Sequence, residues 1–548
     1  MRSSGCLLLT ALAVAPAVSA QPRDTGEAAE ASAAGARVPR RHLVRAESNP
    51  EVIAIEGGLV RGATGNGAMG FLGIPFAAPP VGPLRWRPPA PPAAWSGVRD
   101  TRAFAPPCSQ LDDADAVIGS EDCLYLNVWI PANALPSSAL PVLFFIHGGG
   151  HVQGSTSTEL SDGTHLYDGA GLATRAGAIV VTSAYRLGVL GFLNHPALAA
   201  ESSEGSSGNY GIRDLVAALK WVQRNITRFG GDPGHVLVFG ESAGAVETCM
   251  LVISPLATDL FSAALMESGG CAARSRSDAE AIGGQLATAA GCAGTADVLA
   301  CLRGLPAPTL VNAIPARAEV VGASSGYQPG VDGVVVPEPP MQRLEAGRHN
   351  HVPLVVGANA DETGRSVPLT MTTPEYEAAV RALVGGSQVL TNLVLAQYPV
   401  SAYGGNARKA YVAVTSDSKF ICTARRVARA AERGQTEPVY RYFFTHAFAN
   451  GSGLLRTFGA YHGIELMYAF DRLDTLGYSP TPGERTLGEA IIASWRNLAA
   501  TENPNGGSPA SWPLFNPTTD TFLQLEDPIV PGAGVRTTQC DFWDSLSP

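Results

Sequence analysis

The stretch from Phe229 to Ala245, FGGDPGHVLVFGESAGA, constrains the fold of this chain more than any other. Val236 to Phe239 form a short apolar run that ends at Gly240-Glu241-Ser242-Ala243-Gly244, a G-x-S-x-G pentapeptide. The run reads as a buried strand that enters a sharp turn and opens a helix. Glycines two positions before and two after the serine remove the Cβ atoms that so tight a turn would crowd. Such a turn lifts the Ser242 hydroxyl clear of the backbone. The helix start behind it offers free N–H groups and a positive dipole to a developing negative oxygen. A five-residue pattern in a chain with 61 glycines also arises by chance. The strand before it and the apolar, helix-compatible Ala243–Ile253 behind it argue against chance.

Other strand-like runs surround this one. Glu51–Arg61 and Leu124–Ile130 read as early strands, separated by the Pro-rich, irregular Ile74–Pro92. Pro141–Ile146 (PVLFFI) is wholly apolar and stops at His147-Gly148-Gly149-Gly150, and Ala178–Ala184 follows. Asp214–Ile226 has helical periodicity. Ala263–Met266, Pro353–Gly357 and Val439–Phe444 are short and apolar. Buried strands alternating with helices predict an α/β fold with a mostly parallel sheet covered on both faces. The long inserts Ala273–Ala346 and Ser366–Ser418 are expected to be helical or looped and to form a rim above the sheet.

Composition excludes some functions. The formal net charge of −10 leaves no basic stripe for nucleic acid. Beyond the N-terminus no apolar run is long enough to span a bilayer, so no stable membrane insertion is expected. Residues 1–20 read as an export signal: Arg2, an apolar Cys6–Val14, and Val18-Ser19-Ala20 as the cleavage site. The apolar segment follows Cys6, which argues against a lipoprotein. Residues 21–49 are expected to be a flexible lead-in, and residues 50–548 a single domain. Without Cys6, eight cysteines remain, an even set that suits disulfides in an exported protein. His147 and His151 have no third ligand at a convincing spacing, so neither a metal nor a cofactor is expected. The sequons at Asn225 and Asn450 are read as accidental.

Several segments in order, FLGIPFAAPPVGPLRWRPP (Phe71–Pro89), EDCLYLNVW (Glu121–Trp129), HGGG (His147–Gly150), YRLGVLGF (Tyr185–Phe192), GNYGIRD (Gly208–Asp214), the serine segment, NADETG (Asn359–Gly364) and GAYHGIEL (Gly459–Leu466), are together highly specific. From about Gly57 to the C-terminus the chain resembles the type-B carboxylesterases, the cholinesterase-like and lipase-like branch of the α/β-hydrolases. The resemblance implies an α/β-hydrolase fold, a small-molecule ester substrate, and a Ser242, Glu362, His462 triad. Asp361 is the rival acid and is read as a loop cap. The same likeness places Gly149, Gly150 and Ala243 in the oxyanion hole. It makes Arg85–Glu121 an ion pair and Cys108–Cys123, Cys292–Cys301 and Cys422–Cys540 disulfides, which leaves Cys249 and Cys271 to each other. Glu241, beside the serine, is expected either to tune its electrostatics or to pack.

Two departures narrow the expectation. The Cys108–Cys123 segment contains no Trp, whereas cholinesterase-like members use one there to hold a quaternary ammonium, so a choline ester is not expected. Leu215 replaces a customary glutamine, which implies altered packing only. The function implied is a secreted serine esterase, extracellular or periplasmic. The alternatives are a lipase of the same fold or a non-catalytic adhesion module.

Overall fold

The apolar runs come together as one large sheet. A computed structural model of the chain describes residues 51–322, 326–506 and 510–546. The export signal and the lead-in lie outside these residues. In chain order the sheet contains β1 (Ala63–Gly65), β2 (Ala68–Pro75), β3 (Tyr125–Pro131), β4 (Leu140–Ile146), β5 (Ile179–Ser183), β6 (Gly231–Glu241), β7 (Ala263–Glu267), β8 (Leu354–Asn359), β9 (Val439–Phe444), β10 (Thr521–Leu525) and β11 (Val530–Ala533). Across the sheet they run β11-β10-β9-β8-β7-β6-β4-β5-β3-β2-β1. From β5 through to β10 every neighbour is parallel. Antiparallel strands close both edges.

The central strands are apolar throughout because both faces are buried. Val142, Phe144 and Ile146 of β4, with Val236 and Val238 of β6, face one core. That core is covered by helix Tyr210–Asn225 through Leu215, Leu219 and Val222, and by helix Ala243–Ile253 through Met250 and Leu251. Leu143, Phe145, Leu237 and Phe239 face the other. There helices Ala170–Ala176 and Pro482–Thr501 contribute Leu172, Ile491, Trp495 and Leu498. Leu215 is fully buried in the first core.

The structure corrects the first strand. Glu51–Arg61 is a hairpin, Val52–Ile55 and Gly58–Arg61, which joins Val98–Asp100 in a separate three-stranded sheet. The turn is tight because Trp95 packs on it: a Cβ on Gly57 would lie 2.5 Å from the indole ring. Strand β2 falls within the segment containing Gly70, Gly73 and Pro75, and the terminal hairpin β10–β11 is interrupted by Pro528 and Pro531. Neither carries a clean strand signal.

Four disulfides are closed, Cys108–Cys123, Cys249–Cys271, Cys292–Cys301 and Cys422–Cys540. Arg85 meets Glu121 through two parallel bonds, Nε to Oε1 at 2.7 Å and Nη2 to Oε2 at 2.6 Å. Its remaining nitrogen donates to the carbonyls of Leu302, Arg303 and Leu305, tying the N-terminal segment to the first insert. That insert holds helices Arg276–Ala289, Val298–Gly304, Ala307–Ala313 and Pro340–Glu345. The second holds Thr373–Leu383, Gln388–Gln397 and Ala407–Ser416. Asn225 is buried and its amide is used internally, accepting from Glu56 N–H and donating to the Trp221 carbonyl. Among the described residues no helix is long and apolar enough to cross a membrane.

Candidate active site

The candidate residues all follow the carboxyl ends of central strands, where ligands gather in open parallel sheets. Ser242 comes directly after β6. Its backbone sits at φ 59°, ψ −120°, an arrangement that for a residue with a side chain stores on the order of 1–3 kcal/mol. The surroundings enforce it. Ser242 N–H donates to the Glu267 carbonyl at 2.9 Å, and the serine carbonyl accepts from Ala245 and Val246 N–H. The flanking glycines are sterically required: a Cβ on Gly240 would lie 2.5 Å from Gly244, and one on Gly244 would lie 2.0 Å from the Ile146 carbonyl oxygen. Ser242 itself is half-buried.

The acid and base candidates approach from separate loops. Glu362 lies just past β8 and is fully buried. Its Oε1 accepts from Asn359 N–H at 2.7 Å, and its Oε2 stands 2.6 Å from His462 Nδ1. The backbone repeats the link, with His462 N–H donating to the Glu362 carbonyl at 3.0 Å. Asp361 instead ties its own loop, exchanging bonds with Ala460. The far nitrogen of His462, Nε2, lies 3.1 Å from Glu241 Oε1. Glu241 Oε1 makes no aligned hydrogen bond, so it acts on the imidazole through its charge. Phe420, on a single wide helical turn at Asp417–Ile421, covers the imidazole with ring centroids 4.8 Å apart. Wide turns of this kind recur at functional sites.

Burial pushes the His462 pKa down, but the Glu241 and Glu362 carboxylates, and the hydrogen bond to Glu362, more than reverse this and hold it at about 9. Burial raises Glu241 to about 7 against the lowering pull of His462. Two further carboxylates, which the sequence reading did not single out, join this cluster. Glu465 is buried, accepts from Asn359 Nδ2 and Ser268 Oγ, and is raised to about 8 by burial and by Glu241 and Glu362. Glu267 accepts from Trp495 Nε1 at 3.1 Å, and burial lifts it well above the usual carboxylate range. The available signal was positional: Glu465 stands three residues after His462, and Glu267 ends β7. So many buried acids cannot all ionise together, and protons are shared among them.

The donors of the expected hole lie on two segments. Gly149 and Gly150 follow β4 at φ 109° and 62°. Ala243 is the first residue of the helix, where an N–H has no intrahelical acceptor. A Cβ on Gly149 would lie 2.1 Å from the Gln153 carbonyl, so this backbone admits only glycine. Gln110 braces the loop through a reciprocal pair of bonds to Gly154, both at 2.8 Å. Ala318 of the first insert lies over Gly150, held by its N–H to Gln153 Oε1 at 2.8 Å. His147 and His151 part company. His147 stacks on Tyr185 at 4.7 Å, and burial depresses it to about 4, while His151 meets Glu247. Among the described residues no group of three side chains could hold a metal ion.

Comparison with known proteins agrees with this architecture. The carboxylesterase family pattern matches residues 49–543. A fumonisin B1 esterase of Sphingopyxis macrogoltabida is 37% identical over 481 residues, 84% of each chain. Human (Homo sapiens) cocaine esterase is 34% identical over 530 residues, 89% of each chain. The medium-chain fatty acyl-CoA hydrolase precursor of Anas platyrhynchos is 33% identical over 514 residues, 87% of this chain and 88% of the relative. The chain belongs to the carboxylesterase family: it is a carboxylic ester hydrolase built on the α/β-hydrolase fold.

Proposed function

We propose that this protein is an exported serine esterase that hydrolyses small carboxylic esters through Ser242, His462 and Glu362 and a covalent acyl-enzyme. What supports the triad is the pairing of His462 Nδ1 with Glu362 Oε2 at 2.6 Å, together with a serine held on a strained turn after β6. In the first half-reaction His462 Nε2 takes the Ser242 proton as Oγ bonds to the ester carbonyl carbon. The carbonyl oxygen becomes an anion held by the N–H groups of Gly149, Gly150 and Ala243. The C–O bond to the alcohol then breaks, and the alcohol leaves with the proton from His462. Water repeats the sequence on the acyl-enzyme and frees the acid. Glu362 fixes the imidazole and offsets its positive charge.

Export is supported by the four disulfides, which persist in oxidising compartments. The absence of Trp between Cys108 and Cys123 favours uncharged over quaternary-ammonium alcohols. The test is turnover of short p-nitrophenyl esters together with labelling by a fluorophosphonate. Ser242→Ala should abolish the label and lower kcat by at least ~10³-fold. Full activity in Ser242→Ala would refute the triad.

A further inference from the structure

The oxyanion hole is assembled from two separate pieces of chain, and a buried pair of side chains connects them. His151 directly follows Gly149 and Gly150. Glu247 lies four residues after Ala243, one helical turn below it and on the same helix face. His151 Nε2 and Glu247 Oε1 are 3.0 Å apart, with both side chains buried. Neither oxygen of Glu247 takes part in an aligned hydrogen bond, so the imidazole is the group that compensates its burial.

His151 is also held in an unfavourable backbone state. It continues the run of positive φ through Gly149 and Gly150 with φ 63° of its own. A residue with a Cβ enters that region at a penalty, so something must hold it there. Two tethers do. Its carbonyl accepts from Gly188 N–H at 2.7 Å, and its side chain reaches the nucleophile helix. Phe192 packs edge-on against the ring at 5.2 Å and fixes its orientation.

We propose that the His151–Glu247 contact clamps the Gly149–Gly150 loop to the Ala243 helix and so sets the spacing of the oxyanion hole. Both are positioning residues, and this role rests on the oxyanion hole proposed above. A clamp of this kind acts on the tetrahedral state more than on the bound ester, because donor spacing matters most once the oxygen is charged.

The test uses p-nitrophenyl butyrate turnover and inhibition by an aryl trifluoromethyl ketone, whose hemiketal oxygen occupies the hole. Glu247→Ala should lower kcat and weaken the ketone by about 10- to 100-fold, in parallel and with little change in KM. Glu247→Gln keeps the shape but removes the charge, and should show a smaller loss of the same pattern. If Glu247→Ala does not fold, Glu247→Gln alone decides. A folded variant, verified by its melting curve, with unchanged kcat and unchanged ketone affinity overturns the clamp. So does a loss confined to KM. Ser242→Ala separates the two readings: if it remains active the triad fails, whereas an inactive Ser242→Ala beside fully active Glu247 variants removes the clamp alone.

Discussion

At the scale of single residues, the carboxylate beside the nucleophile acts directly on the base. Glu241 Oε1 stands 3.1 Å from His462 Nε2, and its charge favours the imidazolium. A general base has to be neutral to accept a proton, so Glu241 works against the base form wherever Glu241 is ionised. The Glu241→Gln variant should therefore move the acidic limb of the kcat/KM profile to lower pH by roughly one unit. A pH–rate series on a soluble ester measures this. A limb that stays in place, or moves upward, would mean that Glu362 alone sets the titration of His462.

At the scale of elements, the turn between β6 and its helix shows how sequence spacing becomes geometry. Gly244 has no room for a methyl group, since its Cβ would lie 2.0 Å from a carbonyl oxygen of β4. Sheet pairing holds that oxygen in place, so Gly244→Ala must displace the helix. The expected outcome is a loss of at least ~1–3 kcal/mol in stability and disproportionate loss of turnover, read by urea denaturation alongside initial rates. A variant as stable and active as the parent would contradict the packing. The same turn was legible in the sequence because it needs two glycines at fixed offsets and an apolar run before them. The central strands were legible for a related reason: burial on both faces leaves an unbroken apolar run. Glu51–Arg61 reads as one strand, but the chain turns at Gly57-Gly58, a local turn signal onto which Trp95, far along the chain, packs. Strand β2 and the last hairpin were hidden by glycine and proline, whose meaning depends on the strands beside them. In the site, Ser242 and the loop glycines have local signatures. The contact between His462 and Glu362, 100 residues apart, came from family likeness rather than from spacing. For Glu267 and Glu465 the sequence offers only their positions, and the folded chain alone shows that four acids share one buried volume.

At the scale of the whole molecule, the C-terminal end is fastened twice. Cys540, in helix Thr537–Leu546, is bonded to Cys422, which starts helix Cys422–Gly434. Three residues on, the fully buried Arg425 reaches Asp520 at 3.3 Å, Asp541 at 2.5 Å and Asp544 at 2.6 Å. The two fastenings act on different states. A disulfide with a sequence separation of 118 stabilises mainly by restricting the unfolded chain, up to about 4–5 kcal/mol in the chain-entropy account. Arg425 acts in the folded state, and removing it takes one cation from the buried Asp520 while Arg429 stays in contact, a loss of about 1–3 kcal/mol. Phe420, which covers His462, stands on the Asp417–Ile421 turn that runs directly into the helix carrying Arg425, so the folded-state fastening also supports the wall of the site. A Cys422→Ala, Cys540→Ala double variant should therefore lower the urea midpoint while turnover per folded molecule stays unchanged. Arg425→Ala should lower the midpoint and also reduce turnover before global unfolding. Activity and Trp fluorescence followed along the same urea series distinguish the cases: coincident curves are expected for the cysteine variant, and an earlier activity loss for Arg425→Ala. Early loss of activity in the cysteine variant instead would show that the disulfide, not the arginine, holds Phe420 against the imidazole.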